Sequence, residues 1–128
     1  MRAIKFRAKR LDNGEWVYGS LISYKSGEAA IAQFSRYGHE VSEMKGRRVL
    51  VNIATIGQFT GLHDANGVEI YEGDLLLSHE NSEVFEVVYD APRFCFKDND
   101  FGFRFLNRPE NFGVVGNIHD DKGRLENN

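Results

Sequence analysis

The sequence predicts an all-β fold of antiparallel strands with a minor helix at most. Three observations carry this expectation. Apolar and polar residues alternate with period two, as in Ile4, Phe6 and Ala8 against Lys5, Arg7 and Lys9. Thirteen glycines and only two prolines cut the chain into short segments at near-regular spacing. No stretch repeats apolar residues at i, i+3, i+4 and i+7 long enough to make a helix with a buried stripe.

The elements follow in order. Residues 3–10 and 15–24 read as a hairpin, because Asp12-Asn13-Gly14 supplies residues that tolerate positive φ between two alternating segments. Ser26-Gly27 is a second turn, and Ala29 to Phe34 a third strand. Residues 35–47 are polar, contain Gly38 and Gly46, and read as a loop or at best a short helix. Arg48 to Ala54 is β-branched and strand-like, and Ile56 to Leu62 continues in extended or turn geometry. Asp64-Ala65-Asn66-Gly67 and Glu72-Gly73-Asp74 are turns, the second leading into a strand at Leu75-Leu76-Leu77. Val84 to Tyr89 is the next strand. Phe94 and Phe96, then Phe101, Phe103 and Phe105, form a hairpin expected to carry one aromatic face. Phe112 to Ile118 is the last strand, and the charged residues 121–128 read as a flexible tail.

Composition narrows the function classes. A chain of 128 residues with 41% hydrophobic residues and ten phenylalanines can bury a core as one domain of about 1–120. Its formal charge is −3, which argues against a protein held to phosphate by bulk positive charge. One cysteine excludes an intrachain disulfide and a cysteine-rich zinc site; Cys95, between two phenylalanines, reads as a buried, inert thiol. Met1 to Lys5 leads straight into a strand pattern without a basic and then apolar leader. The longest apolar runs fall far short of the ~20 residues that span a bilayer. A cytoplasmic protein with no membrane association is expected.

The residues that could carry chemistry are few. His39, His63, His79 and His119 lack any short ligand spacing, so no metal site and no cofactor are expected. Asp98-Asn99-Asp100-Phe101-Gly102 departs from a calcium loop at the fifth, sixth and twelfth positions. Phe101-Gly102-Phe103-Arg104-Phe105 resembles part of an RNA-recognition strand, but Asn99-Asp100 stands where that signature has a basic residue and glycine. Two basic clusters remain: Lys5, Arg7, Lys9 and Arg10, read as a basic strand edge, and Lys45, Arg47 and Arg48. Either could contact phosphate, although charges on an edge strand also block aggregation. Carboxylates among Asp64, Glu69, Glu72 and Asp74 beside His63 could serve acid–base chemistry if they converge.

Lys5-Phe6-Arg7-Ala8, Trp16-Val17-Tyr18-Gly19, the long block from Gln58 to Asp74 (QFTGLHDANGVEIYEGD), and Gly116-Asn117-Ile118-His119 resemble the YopX family. These are small proteins encoded by bacteriophages and prophages. The resemblance implies an N-terminal β subdomain of about 1–55, an SH3-like β-barrel of about 56–119, and assembly into a homo-oligomer. The family has no established activity, so the resemblance carries over no catalytic role. The conspicuous residues of the central block, Gly61, Asp64, Gly67, Gly73 and Asp74, are read as structural devices that turn the chain at barrel corners.

Two functions are therefore weighed. The favoured one is a non-enzymatic, oligomeric phage or prophage accessory protein that binds a host or phage protein or a nucleic acid. The alternative is a small hydrolytic enzyme using the carboxylates near His63.

Overall fold

The computed structural model describes residues 4–33, 48–90, 93–98, 102–121 and 123. The described strands pair into two antiparallel sheets. By internal contacts the chain divides into two compact units, Met1–Phe59 and Thr60–Asn128.

In the first unit, β1 (Phe6–Lys9), β2 (Trp16–Ser23), β3 (Ala29–Gln33) and β4 (Arg48–Val51) precede β5 (Gly57–His63), and hydrogen bonding orders them β4-β3-β2-β1-β5. Asn13 and Gly14 make the first hairpin turn: the Asn13 side chain accepts from the Glu15 amide at 2.9 Å, and Gly14 takes a φ of 74°. That turn sets the register, pairing Lys9 with Trp16 and Arg7 with Tyr18. One face then presents Ala8, Val17, Ala29, Ile31 and Val51 to a core that Phe6, Leu21, Val49 and Ile56 flank. β1 is not the edge strand expected from its charges, because β2 and β5 pair with it on either side. The strand expected from Arg48 to Ala54 stops at Val51. Asn52 caps a 3₁₀ turn, Ile53–Thr55, by accepting from the Ala54 amide at 3.0 Å.

In the second unit, β5 finishes and pairs with β6 (Glu69–Tyr71), a short strand between the turns at 64–67 and 72–74, where the sequence predicts no element. β7 (Asp74–Ser78), β8 (Val84–Asp90), β9 (Arg93–Asp98), β10 (Gly102–Phe105) and β11 (Phe112–Asn117) form a sheet ordered β10-β9-β8-β7-β11. A second 3₁₀ turn, Pro109–Asn111, precedes β11. Among the described residues β10 and β11 do not pair, and the sheet is not closed into a barrel. Ile70, Leu76 and Val87, each 0% exposed, centre a core with Phe85, Leu106 and Phe112. Burying an aliphatic side chain of this size stabilises by about 1.5–3 kcal/mol. Phe96 packs edge-on against Phe85 and lies 5.1 Å from the Phe112 ring.

The hairpin of β9 and β10 does not have the single aromatic face expected of it. Phe105 pairs with Cys95 and Arg104 with Phe96. Directly opposed residues share a face, so Phe96 enters the core while Phe105 lies on the other side, 54% exposed, with the Arg93 guanidinium 4.0 Å from its ring centroid. The register between the two strands decides this, since a shift of one residue exchanges the faces. Phe101 lies outside the described residues. Cys95 is 1% exposed. Among the described residues no helix is long and apolar enough to cross a membrane.

Candidate nucleic-acid interface

The hairpin register places Lys5, Arg7 and Lys9 on the face of the first-unit sheet opposite its core, beside Trp16 and Tyr18 of β2. Arg7 also pairs with Gly57, and the Phe59 amide donates to the Lys5 carbonyl at 2.8 Å, which brings Phe59 to the same face. Following the pairing outward, Tyr18 and Ser20 share this face with Ala32, and Ala32 pairs with Arg48. Four cations and three aromatic rings therefore lie on one side of the sheet. None of its strand residues among those described is an aspartate or glutamate.

The cations are held against the rings. The Arg7 guanidinium lies 4.7 Å from the Trp16 ring centroid, Lys9 Nζ lies 5.6 Å from it, and Lys5 Nζ lies 5.0 Å from that of Phe59. Ring quadrupoles attract cations at such distances by about 0.5–2 kcal/mol, more as water is excluded. The expected solvated basic face is thus corrected at Arg7, which is only 7% exposed. Lys5 and Lys9 are half-buried, Arg48 is exposed, and Tyr18 is 45% exposed. Nε and Nη2 of Arg7 are themselves buried, whereas at the half-buried Lys5 and Lys9 a long basic side chain can lay its aliphatic stem along the sheet and keep its charge at the surface.

The other basic candidates fall elsewhere. Arg10 is one residue beyond Lys9 and so points to the opposite side of the strand. Its Nε and Nη2 donate to the Asp12 carboxylate at 2.9 and 2.8 Å. This hydrogen-bonded pair raises the Arg10 pKa and lowers that of Asp12. Lys45 and Arg47 lie outside the described residues. Trp16 and Tyr18 were missing from the sequence-derived set. The signal that finds them is the hairpin turn, which pairs alternate residues of β2 with the β1 cations.

The carboxylates considered for hydrolysis serve the backbone. Asp64 Oδ1 accepts from the amides of Asn66 (2.8 Å) and Val68 (2.9 Å), and Oδ2 accepts from that of Val114 (2.9 Å). Burial raises its pKa, but the three amides, with a contribution from the charge of His79, outweigh that and hold the carboxyl below its ordinary value. Asp74 Oδ2 accepts from the Tyr71 amide at 2.7 Å, and Gly73 between them takes a φ of 93° that a side chain would strain. The Tyr71 hydroxyl donates to Glu69 at 3.1 Å. Gly61 and Gly67 also have positive φ, at 86° and 82°. His63 is exposed. Among the described residues no group of three histidine, cysteine, aspartate or glutamate side chains could hold a metal.

A groove of about 620 Å³ in the second unit is lined by Phe96 and Phe112, by Arg104 and Arg108, and by Ser78, Glu80, Phe105, Asn107 and Asn111. His63, Asp64, Glu69, Glu72 and Asp74 do not line it.

A family model described as YopX protein matches residues 5–126. Among solved structures, the crystal structure of protein EF1440 from Enterococcus faecalis is similar, with a TM-score of 0.61 and 24% sequence identity over 98% of this chain and 99% of that one. At that identity the likeness is one of fold. No curated protein matches the chain.

Proposed function

We propose that this chain, which belongs to the YopX family, acts by binding rather than by catalysis, and that its ligand is a nucleic acid held on the first-unit sheet. One observation carries the reading. On a protein of net charge −3, the face bearing Lys5, Arg7, Lys9 and Arg48 collects positive charge and rings, and its described strand residues include no carboxylate. Such segregation raises the local potential well above what net charge suggests. Interleaved rings and cations suit a ligand made of phosphates and flat bases better than a purely charged or purely apolar partner. Asp64, Asp74 and Glu69 accept hydrogen bonds from backbone amides and a tyrosine within their own unit, which favours binding over hydrolysis.

Affinity for labelled oligonucleotides across a salt series tests the proposal. Each phosphate neutralised contributes a slope of about −0.7 to −0.9 in log K against log salt, so three or four contacts predict a slope of roughly −2 to −4. Reversing Lys5, Lys9 and Arg48 to glutamate together is expected to abolish binding while the β-sheet circular dichroism persists. Undiminished binding by that triple variant refutes the assignment of this face.

Self-association belongs to the same reading. β10 ends its sheet among the described strands, and pairing of such an edge with a second copy would hide its backbone groups. Light scattering that returns a single-chain mass rejects it.

A further inference from the structure

We infer that the ligand of this face is single-stranded, with a base stacked on Tyr18; the inference rests on the nucleic-acid reading above. The width of the sheet is the first reason. The cations of β1 lie inside a five-strand array, β4-β3-β2-β1-β5. At about 4.8 Å per strand, its outer strands stand roughly 19 Å apart, whereas the major groove of a duplex is about 12 Å wide and admits one helix or a two-stranded ribbon. β1 therefore cannot follow base edges into a groove, and it can meet a duplex only at its phosphate ridges.

The position of the charges is the second reason. Lys5 Nζ and Lys9 Nζ are drawn to within 5.0 and 5.6 Å of ring centroids on the sheet itself. Charges held this low reach phosphates that come down to the sheet. An extended single strand brings them there, because its bases can lie flat against side chains, while the backbone of a duplex is held off by its own paired bases.

The third reason is the arrangement of rings. Phe59 is 4% exposed and serves as a support for Lys5. Trp16 is half-buried, with Arg7 and Lys9 held against its ring. Tyr18 is the ring that offers surface, at 45% exposure, and it pairs directly with Arg7, between Lys5 and Lys9 on the adjoining strand. A base on Tyr18 thus has its flanking phosphates beside the two lysines. Stacking is indifferent to base identity, so little sequence preference is expected.

The chain contains one tryptophan, Trp16, and its emission reports on this face alone. The test titrates the full chain, at fixed low salt, with a twelve-nucleotide single strand, with its blunt duplex, and with polyglutamate of matched charge. The expected result is quenching by the single strand at an affinity about tenfold or more above that for the duplex. Tyr18→Ala should weaken single-strand binding about fivefold or more, since a stacked base contributes on the order of 1–3 kcal/mol, and Tyr18→Phe should restore it. Duplex affinity equal to or above that of the single strand overturns this inference and leaves the nucleic-acid reading standing. Polyglutamate binding as tightly as the single strand overturns both in favour of an acidic protein partner, and no binding of any probe by the folded chain also overturns both. Unaltered single-strand affinity in Tyr18→Ala removes the stacking assignment.

Discussion

Replacing Asp64 tests how a short turn is fastened to a distant strand. Asp64 is 7% exposed, and its carboxylate holds the amides of Asn66, Val68 and Val114, the last of them 50 residues away. The Ala65 amide reinforces the join by donating to the Phe112 carbonyl at 3.0 Å. A hydrogen bond to a charged acceptor contributes about 1.5–3 kcal/mol, and a neutral one about half of that. In Asp64→Asn, the amide oxygen can keep Asn66 and Val68 as neutral bonds, while its NH₂ meets the Val114 N–H donor to donor. The loss should be about 2–3 kcal/mol. In Asp64→Ala all three amides lose their acceptor, but those of the exposed Asn66 and Val68 regain water, so the loss should be only slightly larger, about 2–4 kcal/mol. At about 4 °C per kcal/mol for a chain of this size, both variants should melt roughly 10 °C below the parent near pH 7. The pH dependence follows from the lowered pKa. The native carboxyl binds its proton less readily than the unfolded one, so its stabilisation is fully present above the unfolded value of about 3.8 and is lost as pH falls through the lower native value. Thermal melts followed by circular dichroism from pH 7 down to pH 2 should show the gap between parent and Asp64→Ala shrinking below that point. A gap under about 0.5 kcal/mol at pH 7, the scatter of ordinary surface changes, would refute the reasoning. So would a gap of constant size through the acid range.

Three further outcomes are expected. Gly19→Ala should cost about 3 kcal/mol or more or prevent folding, because a Cβ there would collide with the Ala32 carbonyl oxygen and approach its carbon to 2.8 Å; Gly14→Ala, with nothing within 4 Å, should cost only the about 1–2 kcal/mol of its positive φ in a urea titration. Glu86→Gln should make stability less dependent on pH just above 4.5. Burial raises the Glu86 pKa, Lys97 opposes and Glu72 assists, so the native state holds the proton longer and the parent loses stability as pH rises through that window; a steeper dependence in the variant would contradict this. Leu76→Ala should lose about 2–5 kcal/mol in the same titration, since Leu76 is 0% exposed within the Ile70, Phe85 and Val87 cluster, and a loss below about 1 kcal/mol would show that the cluster closes around the gap.

The strand alternation, the hairpin turn at Asn13-Gly14, the turn role of Asp64 and the bend at Gly73 could all be read from residue order, because each is a local event: a side chain reaching an amide two to four residues on, or a glycine taking a φ that other residues resist. The four cations in and beside β1, Lys5, Arg7, Lys9 and Arg10, could be listed from the same source, but not sorted. That Arg7 is buried while Arg10 turns away to Asp12 follows from which strands lie on either side of β1, and one of these, β5, arrives from about fifty residues along the chain. The split of the phenylalanines in the β9–β10 hairpin, and the meeting of Arg48 with the β1 face through β2 and β3, are likewise matters of register between strands. Residue order by itself determined where this chain extends and where it bends, since those preferences act within a few residues. Only the tertiary structure decided which side chains share a face, because pairing between strands is settled by the burial of whole surfaces, and a slip of one residue exchanges what is buried with what meets solvent.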